Sequence, residues 1–320
     1  MSGKKILVCG ATGFVGRNTA EYLKRRNDFE IFGTYLNSPP LQDSKISMIK
    51  ADLTRKEEVE KAIEGMDVIV QAAAACSGVL ENQQKPYIHV TDNVVMNPFI
   101  FQAAHEQEIP HLIFPSCTTM YHSSDELIRE EDVDLGRGIP EQYFACGWTK
   151  LYIEKMSELF ASLGNTKHTV FRHSNAYGPH DKFDLERSHV FGATITKVMT
   201  ANPGDSISVW GTGEEERDLL YVSDVARFIE RAIDRQENPF ELVNIGYGSS
   251  ISIGDLVQKI IGASGKDLRI KYDSTKPTVK TKVALDFSKA EEIFGWRPKT
   301  SLEEGIKKTM SWYEANISNN

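Results

Sequence analysis

The chain has 320 residues, of which 40% are hydrophobic and 26% are charged, a composition typical of a globular protein with one large domain or two smaller ones. The formal net charge of -8 argues against a general nucleic-acid-binding role, because neutralising phosphates requires a basic surface. No segment is apolar and long enough to span a membrane. The sequence therefore predicts a protein with neither a nucleic acid nor a membrane as its partner.

The first predicted elements are an apolar strand and an amphipathic helix, joined by a glycine-rich loop. Three glycines spaced three residues apart follow the strand directly. Small residues permit a tight turn and let the backbone approach a pyrophosphate, while the helix N-terminus supplies N–H donors. The loop predicts a dinucleotide site, and a purely structural turn is the alternative. The expected cofactor residues here are Gly10, Thr12, Gly13, Phe14, Val15 and Gly16.

Strands and helices then alternate through the first half of the chain. The expected strands are near-continuous apolar runs, which are typical of parallel strands buried on both faces. Regular alternation of this kind predicts an α/β fold with a doubly wound parallel sheet of the Rossmann type. The expected strands span 6–9, 30–35, 47–50, 67–71, 112–115 and 169–172, and the expected helices span 14–26, 56–64, 90–107 and 141–163.

The end of the second strand bears on the choice of cofactor. An acidic residue there normally binds the adenosine ribose, but the position falls on Tyr35, with Asn37 two residues later. No carboxylate repels a 2′-phosphate, and no arginine or lysine attracts one. The sequence therefore predicts NAD or NADP, with NADP slightly favoured.

Residues after the third and fourth strands extend the predicted cofactor site. Asp52, followed by Leu53, is placed to hydrogen-bond the adenine, and a helix N-cap is the alternative for the aspartate. Ala72, Ala73 and Ala74 are small enough for a backbone to pass close to the cofactor, although a close-packed turn explains them equally well.

After residue 177 the pattern changes to turn-rich, charged segments with short helices. A helix over 222–235 and a strand over 242–245 are expected to rejoin the sheet. We therefore predict two interleaved units, in which the smaller α/β lobe binds substrate and covers the reactive end of the cofactor. The dinucleotide-binding domain comprises 1–176 plus about 222–248, and the lobe comprises about 177–221 plus 249–320.

The cysteines favour a reducing compartment. No pair of them has Cys-x-x-Cys spacing, and no histidine spacing indicates zinc. Reduced thiols in the cytoplasm are the simplest interpretation. The apolar run after Lys4 and Lys5 is too short for a leader peptide and is interrupted by glycine, so it predicts a strand. The four cysteines are Cys9, Cys76, Cys117 and Cys146.

Six motifs are spread along the chain: Gly10-Ala-Thr-Gly-Phe-Val-Gly16, Asp52-Leu53, Asn93-Val94, Asn175-Ala-Tyr-Gly-Pro179, Arg217-Asp-Leu-Leu-Tyr-Val-Ser-Asp224 and Gly295-Trp-Arg-Pro298. Together they resemble the motifs of the extended short-chain dehydrogenase/reductases, the NAD-dependent epimerase/dehydratase family. Within it, residues 178–189 and 209–213 are most similar to the GDP-L-fucose synthase group. The resemblance implies an NAD(P)-dependent epimerase, reductase or dehydratase acting on a nucleotide sugar, and a homodimer formed through the helices near 90–107 and 141–163.

The family also carries a Tyr-x-x-x-Lys pair, which this chain keeps only in part. Residues four apart share a helix face, so both side chains reach the nicotinamide. Lys150 matches the lysine, which binds the nicotinamide ribose, whereas the tyrosine position holds Cys146. A thiol therefore replaces the phenol that usually moves the proton. Cys146 is either a short base activated by Lys150 or a small packing residue.

A second departure from the family follows the fifth strand. The Ser or Thr of the family falls on Cys117, and the cysteine acid/base of the fucose-synthase group falls on Thr119. His189 matches the histidine acid of that group, so the resemblance implies a half-retained epimerising pair. Cys117, Thr118, Thr119 or Tyr121 are the alternatives for the proton step.

The resemblance also implies contacts with an anionic nucleotide. Asn175 matches a substrate-binding asparagine, and Arg217 matches an arginine that grips the diphosphate, although a surface ion pair with the preceding glutamates is the alternative. Lys197 and Lys282 are further basic candidates for binding the nucleotide, and a solvated surface position is the alternative for each. Trp210 either stacks on a base or lies in the core. The expected substrate residues are Thr119, Asn175, His189, Lys197, Trp210, Arg217 and Lys282, and His173 joins the cofactor set.

Two functions from different classes fit these residues. In the first, an NAD(P)-dependent enzyme, a thiol or a neighbouring hydroxyl handles the proton and His189 acts as the acid. In the second, a non-catalytic or non-redox protein binds NAD(P) or a nucleotide sugar on the same fold. The missing tyrosine favours the second, whereas His189, Arg217 and Asn175 favour the enzyme.

Overall fold

The computed structural model describes residues 3–75, 85, 87, 90–185, 188–276, 278 and 281–317. Cys76 and residues 186–187 of the segment 178–189 lie outside the described residues. The strands are β1 (Lys4–Cys9), β2 (Phe29–Tyr35), β3 (Ile46–Lys50), β4 (Val68–Gln71), β5 (His111–Ser116), β6 (Lys167–His173), β7 (Asn175–Tyr177), β8 (Ser206–Trp210), β9 (Glu216–Tyr221), β10 (Phe240–Ile245), β11 (Ser250–Ser252) and β12 (Arg269–Asp273). The helices are α1 (Phe14–Leu23), α2 (Lys56–Ile63), α3 (Thr91–Glu106), α4 (Phe144–Leu163), α5 (Val190–Thr200), α6 (Val222–Arg235), α7 (Ile253–Ser264), α8 (Ser288–Phe294) and α9 (Leu302–Asn316).

A seven-stranded parallel sheet forms the larger part of the described structure, in the order β10-β6-β5-β4-β1-β2-β3. The chain moves outward from β1 in one direction through β2 and β3, and in the other through β4, β5 and β6. The crevice beside the carboxyl ends of β1 and β4 is therefore a topological switch point, where doubly wound sheets bind ligands.

Both faces of this sheet are covered, as its apolar strands require. Along β1, Ile6 and Val8 belong to one core with α1 and α6, while Leu7 and Cys9 belong to the core on the opposite face. This alternation places a hydrophobic layer on each side of every central strand. The predicted α/β doubly wound fold is confirmed.

The smaller part of the structure contains two short sheets that the turn-rich sequence did not predict. One joins β11, β9 and β7, and the other pairs β12 with β8. Helices α5, α7 and α9 pack with them around a separate core that includes Phe191, Leu256 and Ile306. The three residues of β7 and β11 are too few to produce a recognisable alternation of apolar side chains.

The C-terminal segment divides between the two cores. Phe294 of α8 and the nearby Trp296 pack against Phe228 of the large-sheet core, at ring-centroid distances of 5.2 Å and 5.9 Å. The sequence had assigned all of 249–320 to the smaller lobe. The proposed domain boundaries remain a prediction.

The long helices begin and end close to their expected positions. Helix α3 occupies 91–106 of the expected 90–107, whereas α4 starts at Phe144, after a short 3₁₀ turn over Glu141–Tyr143. That turn places Tyr143 immediately before the helix that carries Cys146 and Lys150. No helix in the described part of the chain is both long and apolar enough to cross a membrane.

Candidate active site

A single cavity of about 1390 Å³ extends from the carboxyl ends of the parallel strands to the smaller lobe. The glycine loop lies at one end, Cys117, Cys146 and Lys150 lie in the middle, and Trp210 lies at the other end. Of the site residues expected from the sequence, all except Gly16 and Lys282 line its wall. The fold thus brings together side chains that are up to about two hundred residues apart in sequence.

The two exceptions have different positions and partners. A Cβ at Gly16 would lie 2.2 Å from the carbonyl oxygen of Gly10, so this glycine allows α1 to pack against the loop. Lys282 lies at the surface, where its Nζ is 3.1 Å from Asp125 and 3.7 Å from Glu216. The structure does not bring Lys282 into the cavity, because these carboxylates hold it outside.

The geometry of the glycine loop fits a dinucleotide pyrophosphate. Gly10 has a φ of +70°, and a Cβ there would lie 2.7 Å from the Cα of Ala73, so only glycine fits at this turn. Phe14 and Val15 start α1 and line the cavity, and N–H groups in the first turn of a helix have no acceptor within it. These donors and the positive end of the helix suit an anion.

At the adenosine end, Asp52 has a local role as well as a place in the cavity wall. Its Oδ1 accepts hydrogen bonds from the Thr54 backbone N–H at 3.0 Å and the Thr54 hydroxyl at 2.6 Å. These hydrogen bonds lower the pKa of Asp52. The aspartate therefore shapes the turn ahead of α2 and also presents a charged carboxylate to the cavity.

Lys150 is held at the centre of the cavity by two contacts from β5. Its Nζ donates a hydrogen bond to the Pro115 carbonyl oxygen at 3.0 Å and lies 4.6 Å from the centre of the Phe114 ring. Helix α4 directs the side chain towards the carboxyl end of β5. Its positive charge therefore stands close to the segment that carries Cys117.

Cys117, Thr119 and Cys146, together with Lys150, form what we call the thiol cluster. The Thr119 hydroxyl lies 3.1 Å from the Cys117 sulfur and 3.8 Å from the Cys146 sulfur. The neighbouring Cys146 thiol, with help from Lys150 and Thr119, lowers the pKa of Cys117 to about 6. The thiolate at Cys117, together with burial, raises the pKa of Cys146. The cluster can hold one thiolate and one thiol with a hydroxyl between them.

Tyr121, one of the alternatives for the proton step, points into a buried network instead. Its hydroxyl donates to Asn244 Oδ1 and accepts from Arg172 Nη1, both at 2.8 Å. Arg172 also forms a buried ion pair with Glu154 of α4 at 2.6 Å, and Glu154 accepts a hydrogen bond from Ser116. This network fixes the end of β5 and therefore the position of the thiol cluster.

Tyr143 is a cavity residue that the sequence reasoning missed. Burial raises the pKa of its phenol, an effect that the nearby charge of Arg217 and a hydrogen bond with Thr281 partly offset. It precedes Cys146 by three residues, a spacing that places side chains on one helix face. This spacing was the sequence signal that could have identified Tyr143, because a phenol one helical turn before Cys146 can face the same cavity.

Two histidines line the cavity near Lys150. Burial lowers the pKa of His173 to about 4, so its ring is neutral, and its Nδ1 lies 2.7 Å from the Ser174 carbonyl oxygen. His189 is exposed and directly precedes α5. His189 is thus the more solvent-accessible of the two rings.

The lobe end of the cavity carries polar groups suited to a phosphorylated ligand. Arg217 Nη1 donates to the Thr281 hydroxyl at 2.9 Å, and Lys197 Nζ donates to the Ser208 carbonyl oxygen at 2.7 Å. Asn175 Nδ2 donates to the Asp218 carbonyl oxygen at 3.1 Å. Trp210 is partly buried, and its ring borders the cavity instead of being enclosed in the core.

The sheet order, the glycine loop at its switch point and Lys150 beside β5 define an NAD(P)-dependent enzyme of the nucleotide-sugar epimerase, dehydratase and reductase class. The chain belongs to the NAD dependent epimerase/dehydratase family, which matches residues 6–246. The family expected from the sequence motifs is therefore confirmed.

Individual relatives cover nearly the full length of the chain. It is 30% identical to a GDP-L-fucose synthase of Sinorhizobium fredii, over 100% of this chain and 98% of the relative. It is 28% identical to a GDP-L-colitose synthase of Yersinia pseudotuberculosis, over 97% of each chain. Among solved structures, UDP-glucose 4-epimerase of Thermotoga maritima with UDP-glucose superposes with a TM-score of 0.86 at 24% identity, covering 98% of this chain and 100% of that one. At this identity, the structural likeness supports the shared fold.

Proposed function

We propose that the protein is an NAD(P)-dependent epimerase/reductase that acts on a 4-keto hexose carried by a nucleoside diphosphate. One observation carries this proposal: the glycine loop, the thiol cluster and Arg217 all line one cavity of about 1390 Å³. A cavity of this extent has room for a cofactor at one end and a sugar nucleotide at the other, meeting near Lys150. The GDP-linked sugars named for the relatives support a GDP-linked substrate.

The proposed roles follow from the contacts of each side chain. Lys150 holds the nicotinamide ribose, and Arg217 binds the diphosphate, for which its planar guanidinium is suited. A bound dihydronicotinamide supplies the hydride for reduction of the ketone. In epimerisation, the Cys117 thiolate takes the proton from the carbon next to the ketone, and His189 returns one on the opposite face.

Reduction of the ketone also requires a proton on its oxygen. We propose that neutral thiol and hydroxyl groups in and around the thiol cluster supply it. Cys146 keeps its proton because the adjacent Cys117 thiolate raises its pKa. Thr119, between the two sulfurs, can relay a proton in either direction. Tyr143 and Thr118 border the cavity as further hydroxyl donors.

The choice between NAD and NADP is also part of the proposal. Tyr35 and Asn37 at the end of β2 line the cavity and carry no charge. We retain the slight preference for NADP, because no carboxylate on this segment repels a 2′-phosphate. Calorimetric titration with both reduced cofactors tests it, and tighter binding of NADH would reverse the preference.

The catalytic proposal is tested by hydride transfer from deuterium-labelled NADH and NADPH to a panel of GDP-, UDP- and dTDP-linked 4-keto sugars. Deuterium at C4 of the sugar is the expected result. If folded protein binds both ligands and transfers no label, the protein is instead a non-redox binding protein on this fold. Cys146→Tyr adds a second readout: lower activity is expected, because a phenol there displaces the thiol beside Cys117.

We further propose a cytoplasmic homodimer formed through α3 and α4. Phe144, Trp148 and Tyr152 on α4 are 63%, 41% and 43% exposed, and their spacing of four places them on one helix face. Contiguous apolar surface of this kind marks association sites. Light scattering should give twice the monomer mass for the protein and the monomer mass for Trp148→Glu.

A further inference from the structure

Glu215 is a buried carboxylate for which the described residues provide no hydrogen-bond donor. It is 5% exposed, and neither of its side-chain oxygens has a hydrogen-bond partner in the described part of the chain. Its backbone is fixed, since its carbonyl oxygen accepts from the Ile253 N–H at 2.8 Å. A buried carboxylate without donors is unfavourable, so such a group needs an explanation.

The position of Glu215 connects it to the lobe end of the cavity. The residue lines the cavity together with Trp210 and Thr278. A Cβ at Gly211 would lie 2.5 Å from Oε1 of Glu215, so the absence of a side chain at 211 makes room for the carboxylate next to Trp210. Both oxygens are closed to water in this conformation. Binding of a ligand to them therefore requires the Glu215 side chain to rotate towards the cavity.

Two lysines that line the lobe end of the cavity contact other groups. Lys197 donates to the Ser208 carbonyl oxygen, and Lys276 lies 6.0 Å from the centre of the Trp210 ring. Glu215, Trp210 and these two lysines thus line the same end of the cavity. A ligand that enters this end of the cavity is a source of the missing donors.

The hydrogen-bonding chemistry of a carboxylate restricts which base can supply those donors. A carboxylate accepts hydrogen bonds at both oxygens and donates none. Guanine presents two adjacent donors, N1–H and the N2 amino group. Uracil and thymine present one N–H between two carbonyl oxygens, and those oxygens would be repelled. Adenine and cytosine place their amino group beside a ring nitrogen that is an acceptor.

We propose that Glu215 selects the base of the substrate by accepting the N1–H and N2–H of a guanine that packs near Trp210. This inference rests on the proposed function, since it concerns the nucleotide of the same sugar substrate. Paired, charge-assisted hydrogen bonds are among the stronger ones in proteins. A site built around them rejects an analogue that leaves the buried carboxylate unpaired.

The experiment compares the binding of GDP, IDP and UDP to the full-length protein by calorimetry. GDP should bind at least about 100-fold more tightly than UDP, because a site that hydrogen-bonds its ligand strongly disfavours one without the donors. IDP retains N1–H and lacks the N2 amino group, so its affinity should lie between the two. This arm needs no variant and is independent of any effect on folding.

Glu215→Gln is the matching variant, since it keeps the shape and removes one acceptor and the charge. GDP affinity should fall about 10- to 100-fold. UDP affinity should rise, because an amide offers uracil one acceptor and one donor. Glu214→Gln is the control: this exposed neighbour undergoes the same chemical change, and its variant should keep the GDP preference.

Three results would overturn the inference. Equal affinities for GDP and IDP would show that Glu215 makes no contact with the N2 amino group. Equal affinities for GDP and UDP would show that the site does not select the base. If Glu215→Gln weakens GDP and UDP alike, the carboxylate binds ribose or sugar hydroxyls, and the proposed nucleotide-sugar function stands without base selection. If none of the three nucleotides binds to folded protein, the proposed function itself fails.

Discussion

The glycine loop after β1 and the thiol cluster after β5 are two parts of one cavity, and they differ in how closely they follow their family. The loop keeps every glycine of the pattern, with Gly10 at a φ of +70° against Ala73. In the cluster, Lys150 is retained while Cys146 stands in the tyrosine position and Cys117 in the hydroxyl position. The residues expected to bind the cofactor thus match the family pattern, whereas the residues proposed to handle protons do not.

The difference follows from what each region must do. A pyrophosphate is held by backbone N–H groups, so the loop depends on glycines that permit one backbone path. Proton transfer depends only on a group of suitable pKa within reach of the substrate, which several side chains can provide. A lowered thiol pKa at Cys117 offers such a group. The cluster can therefore change its chemistry while the loop stays the same.

The largest effect is expected at Lys150, which belongs to the thiol cluster and is proposed to bind the cofactor. Lys150→Met should lower kcat/KM on the order of 10²- to 10⁴-fold, because it removes the cation that holds the ribose and supports the Cys117 thiolate. Cofactor affinity, measured by calorimetry, should fall in parallel. Lys155→Met is the control, since Lys155 lies on the same helix and pairs with the exposed Glu158. Unchanged turnover in Lys150→Met would contradict the proposal that Lys150 serves both the cofactor and the thiol cluster.

Arg172→Met tests whether the buried network supports the cluster. It leaves Glu154 charged and unpaired in the interior, which should cost about 3–5 kcal/mol of unfolding free energy. Denaturant unfolding followed by circular dichroism measures the loss. Arg129→Met, which removes the ion pair of an exposed arginine with the partly buried Asp286, should change the free energy by about 1 kcal/mol. Similar values for both variants would show that the network is dispensable.

The regions also differ in how far the sequence predicted them. Apolar periodicity and turn residues were enough for the parallel sheet and for α6, which spans 222–235 as expected. Glu215 could not be distinguished within the acidic run from Glu214 to Glu216, because its burial comes from tertiary packing around Gly211. For Tyr143 the spacing from Cys146 was a signal in the sequence, but its proximity to Arg217 exists only once the lobe folds over the sheet.

Cys117→Ser should impair catalysis and leave the affinity for the cofactor unchanged. The thiolate fraction of Cys117 increases as the pH rises through about 6, so kcat/KM of the unaltered protein should rise over that range and then level off. The serine hydroxyl does not ionise there. Its variant should lose this acidic limb and on the order of 10²-fold in kcat/KM, with cofactor affinity unchanged. An intact acidic limb in Cys117→Ser would assign the titration to another group, such as His189.

The smallest effect is expected from Cys146→Ala, which tests the interaction between the two thiols of the cluster most directly. The Cys146 thiol is the largest cause of the lowered pKa of Cys117, so its removal should move that pKa upward from about 6. The rate at which iodoacetamide alkylates Cys117, followed by peptide mass spectrometry across a pH series, measures the shift directly. Peptide mapping excludes the buried Cys9, whose pKa burial raises to about 12. A shift of about one pH unit would show that the thiol in the tyrosine position acts on its neighbour. An unchanged midpoint would leave Lys150 and Thr119 as the groups that stabilise the thiolate, and Cys146 would then serve only to fill space.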